Sequence, residues 1–222
     1  MKPLVSVIIP TYNRAQLLLE RSIPSVLAQT HADLELIVIG DHCTDETELA
    51  MRTVTDPRVR FKNLPERGRY PEDPGRRWLV ASCKPLNVGL SMARGRWVTV
   101  LGDDDEFSPD HNEVLLKAAS EQGSDFVYGT VSDLSQGRYV GSWPPRCGSV
   151  CHLAVMYSAR RFGHFRYDSH CWRIPEPLDW NLWRRIINAS GGEGIGFTDH
   201  LVGTHYDSEN ITCSAPGKAV AI

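Results

Sequence analysis

No stretch of this sequence approaches the roughly twenty apolar residues that a membrane helix needs, so no integral membrane segment is expected. Basic runs are missing too. The net charge is −3, and the Arg-rich stretch from Arg67-Gly68-Arg69 to Arg76-Arg77 is broken by Pro71, Glu72, Asp73 and Pro74. Nucleic acid is therefore not an expected partner, and the broken stretch reads as a loop. The six cysteines, at 43, 83, 147, 151, 171 and 213, show no paired spacing beyond Cys147-x3-Cys151, which is weak evidence for zinc. Reduced thiols and a cytoplasmic location are the expectation. The apolar amino terminus is too short and too broken for a signal peptide, and Thr11-Tyr12-Asn13-Arg14 follows it without a small-residue cleavage site. Repeats, low-complexity tracts and Gly/Ser linkers are also absent, which suits one domain in a chain of 222 residues.

What is present is an alternation of strand and helix. Leu4–Ile9 and Leu34–Ile39 are continuous apolar runs, the pattern of strands buried on both faces. Val59–Leu64 is a weaker strand, Trp97–Leu101 a strong one, and Asp125–Tyr128 begins another. Between them the spacing predicts helices over Arg14–Gln29 (kinked or cut short by Pro24), Thr44–Thr53 (capped by Thr44), Pro85–Arg94 and Pro109–Gln122. This rhythm predicts a mostly parallel sheet flanked by helices, with right-handed crossovers. The second half is less regular. Val131–Val150 reads as two short strands joined at Ser135-Gln136-Gly137, Leu153–Ser158 as a strand, Leu178–Ala189 as a helix ended by Gly191-Gly192, and Thr198–Tyr206 as the last ordered segment.

Three consecutive acids, Asp103-Asp104-Asp105, follow the Trp97–Leu101 strand and Gly102. Packed like charges repel unless a cation binds between them, and oxygen ligands favour a hard divalent ion. The other reading is a solvated acidic turn or a helix N-terminus, since Ser108-Pro109 begins a helical pattern. In a parallel sheet this loop leaves the same edge as Thr11-Tyr12-Asn13-Arg14 and Asp41-His42-Cys43-Thr44-Asp45, and all three can meet one ligand.

These residues carry a resemblance. Val5-Ser6-Val7-Ile8-Ile9-Pro10-Thr11-Tyr12-Asn13-Arg14 resembles the opening of family 2 glycosyltransferases. Leu36 to Thr47 is similar to their next strand and acidic loop. Asn87-x-Gly89 through Ala93-Arg94-Gly95 to the acidic triplet, with Pro109 beyond, resembles their approach to the metal motif. The match spans about the first 120 residues in unbroken order.

The resemblance implies an α/β GT-A fold over residues 1–213, with a nucleotide-sugar-binding half (1–128), an acceptor-binding half (129–213) and a loose tail (214–222). It implies inverting transfer of a sugar from a nucleotide diphosphate, a UDP-sugar favoured, to an acceptor hydroxyl. Thr11, Tyr12, Arg14 and Asp41 would meet the donor, with the Asp41 carboxylate accepting a base N–H. Asp103 would face the ribose or a water on the metal. Asp104 would ligate Mn²⁺ or Mg²⁺, and Asp105 and His205 are further candidates for the metal shell. Tyr12 as a packing residue, Arg14 as a plain helix start and His205 as a structural histidine are the other readings. Gly40 and Gly102 depart from the pattern, since both positions are commonly acidic, and the second leaves the register of the acids open.

By the same resemblance the segment Glu176 to Arg184 matches the acidic, Trp-bearing helix start that carries the catalytic base. Asp179 is the first candidate and Glu176 the reserve; Asp179 as a helix cap is the alternative. Trp180 and Trp183 read equally as core anchors or as sugar-stacking faces. Two other classes stay open, a nucleotide-sugar-binding module without turnover and a nucleotidyltransferase. The latter usually needs a Gly-rich phosphate loop where Pro10-Thr11-Tyr12-Asn13-Arg14 stands. The acceptor and the oligomeric state leave no mark in the sequence.

Overall fold

The computed structural model describes residues 3–206. The tail expected at 214–222, the boundary at 213 and Cys213 lie outside the described residues. The elements run, in order, β1 (Val5–Thr11), α1 (Ala15–Leu17), a π turn (Leu18–Ser22), α2 (Ile23–Leu27), β2 (Leu34–Gly40), α3 (Thr47–Met51), β3 (Val59–Asn63), α4 (Pro74–Val80) and α5 (Cys83–Met92). Then come β4 (Trp97–Val100), β5 (Glu106–Phe107), α6 (His111–Glu121), β6 (Phe126–Asp133), β7 (Arg138–Val140), β8 (Val155–Ser158), α7 (Ala159–Phe162), α8 (Leu178–Ala189) and β9 (Ile195–His205). Among the described residues the strands form one sheet in the order β3-β2-β1-β4-β8-β6-β9-β5, with β7 paired to β6.

The first four strands in that order are mutually parallel. β1 lies between β2 and β4, so the chain steps outward one way to β3 and then returns to the other side of β1. The crevice between the ends of β1 and β4 is thus the topological switch point, where open α/β sheets bind ligands. The sheet continues through β8, antiparallel to both its neighbours β4 and β6, then through β9, parallel to β6, and ends in the short β5, antiparallel to β9. Its core is the apolar run of each central strand: Val7, Ile8, Leu36, Ile37, Val98 and Val100 are at most 2% exposed. Burying each such side chain is worth roughly 1.5–3 kcal/mol. In the second half Trp183 is the anchor, with Phe126, Tyr157 and Tyr167 packed edge-on against it. That settles Trp183 as a core residue.

Several expectations need correction. The first helix runs only to Leu27, and a π turn precedes Pro24 in place of a simple kink. Ile23 N–H donates to Leu18 O, five residues back, which sets Pro24 in the first turn of α2, where its missing N–H costs little. Thr44 does not cap a helix over 44–53. Asn13 Oδ1 accepts its N–H at 2.8 Å, and α3 starts only at Thr47, whose N–H meets Asp45 Oδ1 at 3.1 Å. The Pro/Arg stretch is partly helical: Asp73 caps α4 through Arg76 N–H at 2.8 Å, and Pro74 sits at the helix start. Beyond β7 no strand covers the rest of the expected 131–150 pair. Among the described residues Cys43, Cys83, Cys147, Cys151 and Cys171 are unpaired.

The Asn87-x-Gly89 to Gly95 motif proves to be scaffold. Gly89 lets α5 lie on β1, since a Cβ there would stand 2.5 Å from Ile8 Cγ2. Asn87 donates to Tyr167 O at 3.0 Å and accepts from Tyr167 N–H at 2.9 Å, joining the two halves. Arg94 N–H and Ser6 Oγ both donate to Glu35 at 2.6 Å, and Arg60 pairs with its other oxygen at 2.6 Å. Burial pushes the Glu35 carboxyl up, but Ser6, Arg94 and Arg60 together hold it below its ordinary value of 4.5. A depressed folded pKa stabilises above 4.5 and ceases to do so as pH falls through the folded value. Glu35→Gln is therefore expected to cost about 1–3 kcal/mol at pH 7 in urea unfolding, with the deficit shrinking below about pH 4.

Candidate active site

The acidic triplet leaves β4 and turns back over the switch-point crevice. Asp103 is 9% exposed; it meets Arg14 Nη1 at 3.3 Å and accepts Tyr12 N–H at 3.4 Å. Burial pushes its carboxyl up to about 7, against the pull of Arg14 and with the push of Asp104. The Asp104 carboxylate pairs with the same Arg14 nitrogen. Asp105 faces the other way: its Oδ1 accepts from His205 Nδ1 at 2.9 Å and Tyr206 N–H at 3.2 Å. Bonded to that carboxylate, the His205 imidazole is held up at about 9. The three acids are thus divided between two protein cations.

The backbone of this loop is gripped from the π turn. Ser22 Oγ lies 3.0 Å from both Gly102 O and Asp105 O, and Arg21 Nη1 donates to Asp104 O at 2.7 Å. Arg21 also stacks 3.8 Å above the Tyr206 ring, whose hydroxyl meets Glu106 Oε2 at 2.9 Å. π turns are rare and concentrate at functional sites. Gly102 has a steric reason: a Cβ there would stand 2.5 Å from Asp105 Oδ2 and 3.1 Å from Asp104 Oδ1.

On the other side of β1, Thr11 O accepts Asp41 N–H at 2.8 Å, so the ends of β1 and β2 are locked together. Thr11 Oγ1 is buried without a hydrogen-bond partner. Asp41 is 3% exposed, and a strap from the 66–70 segment covers it. Gly68 N–H donates to its Oδ1 at 2.9 Å and Tyr70 OH to its Oδ2 at 2.7 Å. Arg67 stacks its guanidinium 3.6 Å from the centre of the Tyr12 ring, and Lys84 Nζ holds Glu66 O at 2.8 Å. Behind the strap a cleft of about 410 Å³ is lined by Tyr70, Cys83, Lys84 and Asn87.

The second half contributes Glu176 and Asp179. Glu176 is occupied: Arg184 binds both its oxygens at 2.6 and 2.8 Å, and Asn181 donates at 2.7 Å. Arg184 keeps its carboxyl below the ordinary range. Asp179 sits in the first turn of α8, where its Oδ1 accepts Trp180 N–H at 2.7 Å. No cationic side chain pairs with it among the described residues. Burial and then the charges of Asp105 and Asp179 push the Cys151 thiol up.

Among the described residues no three His, Cys, Asp or Glu side chains form a ready-made ligand cluster, and the Cys147-x3-Cys151 pair gains no further ligand. Asp104 and His205 offer one carboxylate and one imidazole. That donor set fits an ion completed by substrate phosphates, the habit of Mg²⁺ and similar hard cations, better than a closed protein cage.

Residues 6–71 and 82–182 match the family model described as Glycosyl transferase family 2. The chain belongs to that family. An uncharacterized glycosyltransferase of Rickettsia felis is 32% identical over 202 residues, a match that covers 86% of this chain and 31% of that protein. The family 2 chain thus spans about a third of that relative's length. The crystal structure of S. aureus TarS residues 1–349 in complex with UDP-GlcNAc superposes with a TM-score of 0.74 at 18% identity, covering 96% of this chain and 61% of that one. The mannosyltransferase PcManGT from Pyrobaculum calidifontis, in complex with GDP-Man and Mn²⁺, superposes with a TM-score of 0.68 at 18% identity, over 92% of this chain and 57% of that one. At such identities the likeness establishes the GT-A fold.

Sequence reasoning did not find Arg21, Ser22 or Tyr70. Arg21 and Ser22 act through main-chain carbonyls, which leave no motif; Tyr70 stood in the Arg-rich stretch already noted for its composition. The strap can be tested directly. Losing a hydrogen bond to a charged acceptor costs about 1.5–3 kcal/mol, so Tyr70→Phe is expected to speed tryptic cleavage at Arg67 and Arg69 by about tenfold or more, read by mass spectrometry.

Proposed function

We propose that this chain moves a sugar from a nucleoside diphosphate donor, a UDP-sugar by preference, to an acceptor hydroxyl in one inverting displacement that depends on Mn²⁺ or Mg²⁺. The observation that supports this most is the meeting of Arg14, Asp103 and Asp104 in the crevice between β1 and β4, beside Thr11, Tyr12 and Asp41. Family membership and the donors named in the TarS and PcManGT structures agree with it.

In this reading Thr11 and Tyr12 receive the nucleoside, with Asp41 reached once the 66–70 strap gives up its Gly68 and Tyr70 hydrogen bonds to that carboxylate and Arg67 leaves the Tyr12 ring; Asp103 receives the ribose and Arg14 the diphosphate. Asp104 and His205 would hold the divalent ion, which offsets the negative charge that builds on the departing diphosphate. Asp179 takes the proton of the acceptor hydroxyl. The acceptor oxygen then bonds to the anomeric carbon on the face opposite the diphosphate, the bond from that carbon to the phosphate oxygen breaks, and the configuration inverts. Glu176 is a poorer base because Arg184 and Asn181 already bind its carboxylate and its pKa is depressed.

Two measurements test this. A ligand bound only by the folded state raises the melting temperature, so a UDP-sugar or UDP with Mn²⁺ is expected to raise it more than UDP alone. No shift with any nucleoside diphosphate, with or without the metal, sinks the donor assignment. Asp179→Asn is expected to lower kcat by about 10²- to 10⁴-fold with nucleotide binding unchanged, whereas Glu176→Gln costs much less. Transfer at the wild-type rate by Asp179→Asn refutes its role as base.

A further inference from the structure

We propose that Asp105 is not a ligand of the divalent ion but the positioning residue that fixes the His205 ring, leaving Nε2 as the nitrogen the ion receives. The inference rests on the metal-dependent reading above and deepens it.

The Asp105 side chain is 9% exposed, and its Oδ1 takes two donors, His205 Nδ1 and Tyr206 N–H. Oδ2 lies over the bare Cα of Gly102, in the space a side chain at that position would fill. The carboxylate is thus turned toward His205, away from the Arg14 pairing that Asp103 and Asp104 share. His205 is the opposite case: its side chain is 40% exposed, and among the described residues only Nδ1 makes a hydrogen bond. Imidazoles that bind metals almost always give their other N–H to a carboxylate or carbonyl, which fixes tautomer and ring orientation.

The surroundings hold Asp105 in this pose. Ser22 Oγ meets its carbonyl, Arg21 grips the neighbouring Asp104 carbonyl, and Tyr206 is pinned between Arg21 and Glu106. Gly102, which departs from the acidic residue common in the family pattern, then has a chemical counterpart. The side chain missing at 102 makes room for the Asp105 carboxylate to turn toward His205.

The experiment measures Mn²⁺ binding to the full chain with saturating UDP, by electron paramagnetic resonance of free Mn²⁺, on variants that melt cooperatively. Asp105→Ala is expected to weaken Mn²⁺ binding by about 10- to 100-fold. Asp105→Asn is expected to recover most of that loss, because its amide oxygen still accepts from Nδ1–H while a neutral amide is a poor substitute for a ligating carboxylate. Asp105→Ala combined with His205→Ala is expected to bind no more weakly than His205→Ala alone, since both act through one nitrogen. If Asp105→Ala does not fold, Asp105→Asn carries the test: it is expected to bind Mn²⁺ nearly as well as wild type, and combined with His205→Ala to bind no more weakly than His205→Ala alone. Losses that multiply in a double variant, unchanged binding in Asp105→Ala, or a loss in Asp105→Asn as large as removal of a ligand overturns this inference alone. A wild-type chain that binds UDP but no Mn²⁺ overturns both it and the metal dependence proposed above.

Discussion

The sharing of Arg14 between Asp103 and Asp104 is the interaction on which the arrangement of the site depends. Two like charges about 4 Å apart repel by about 4 kcal/mol at an effective dielectric of about 20. Three adjacent carboxylates, two of them buried, cannot be folded against a sheet edge without cations among them. Arg14 comes from the loop after β1 and His205 from the end of β9, so strands far apart in the sequence must both be in place for the acids to be neutralised. Charge balance at the crevice and completion of the sheet are therefore the same event.

The parallel half was legible because its strands are buried on both faces and so read as unbroken apolar runs. α8 was legible to the residue: Leu182, Trp183 and Ile186 mark its buried stripe, and Gly191 lies just past its end. The features that escaped are held by contacts without periodicity. Arg21 is an unremarkable basic residue until its guanidinium is seen on the Asp104 carbonyl. Asp73-Pro74, an N-cap followed by a first-turn proline, was a helix signal hidden in a segment whose Pro and Gly content suggested only a loop. Thr44 had the right chemistry for a cap, but Asn13 reaches its amide first.

The acids followed the same division. Their place at the switch point could be read from strand and loop order, whereas their pairing could not. Nothing in Asp-Asp-Asp says that the first two turn to an arginine and the third to a histidine; Gly102, by having no side chain, leaves the room that the Asp105 carboxylate occupies. Of the two acids offered as base, Glu176 and Asp179, the sequence ranked them on likeness, and the structure separates them by what each already holds.

The pair of hydrogen bonds between the Asn87 amide and the Tyr167 backbone has a mechanical consequence. It rivets the layer that carries the loops after β1 and β2 to the layer that carries α8, on a shared sheet. A hinge between the halves would have to break both bonds, and Tyr167 is held on its own side by its packing against Trp183. Adjustment to an incoming molecule is thereby left to the rim, where the 66–70 strap rests on a few polar contacts above an open cleft. The molecule is a stiff frame with one soft lip.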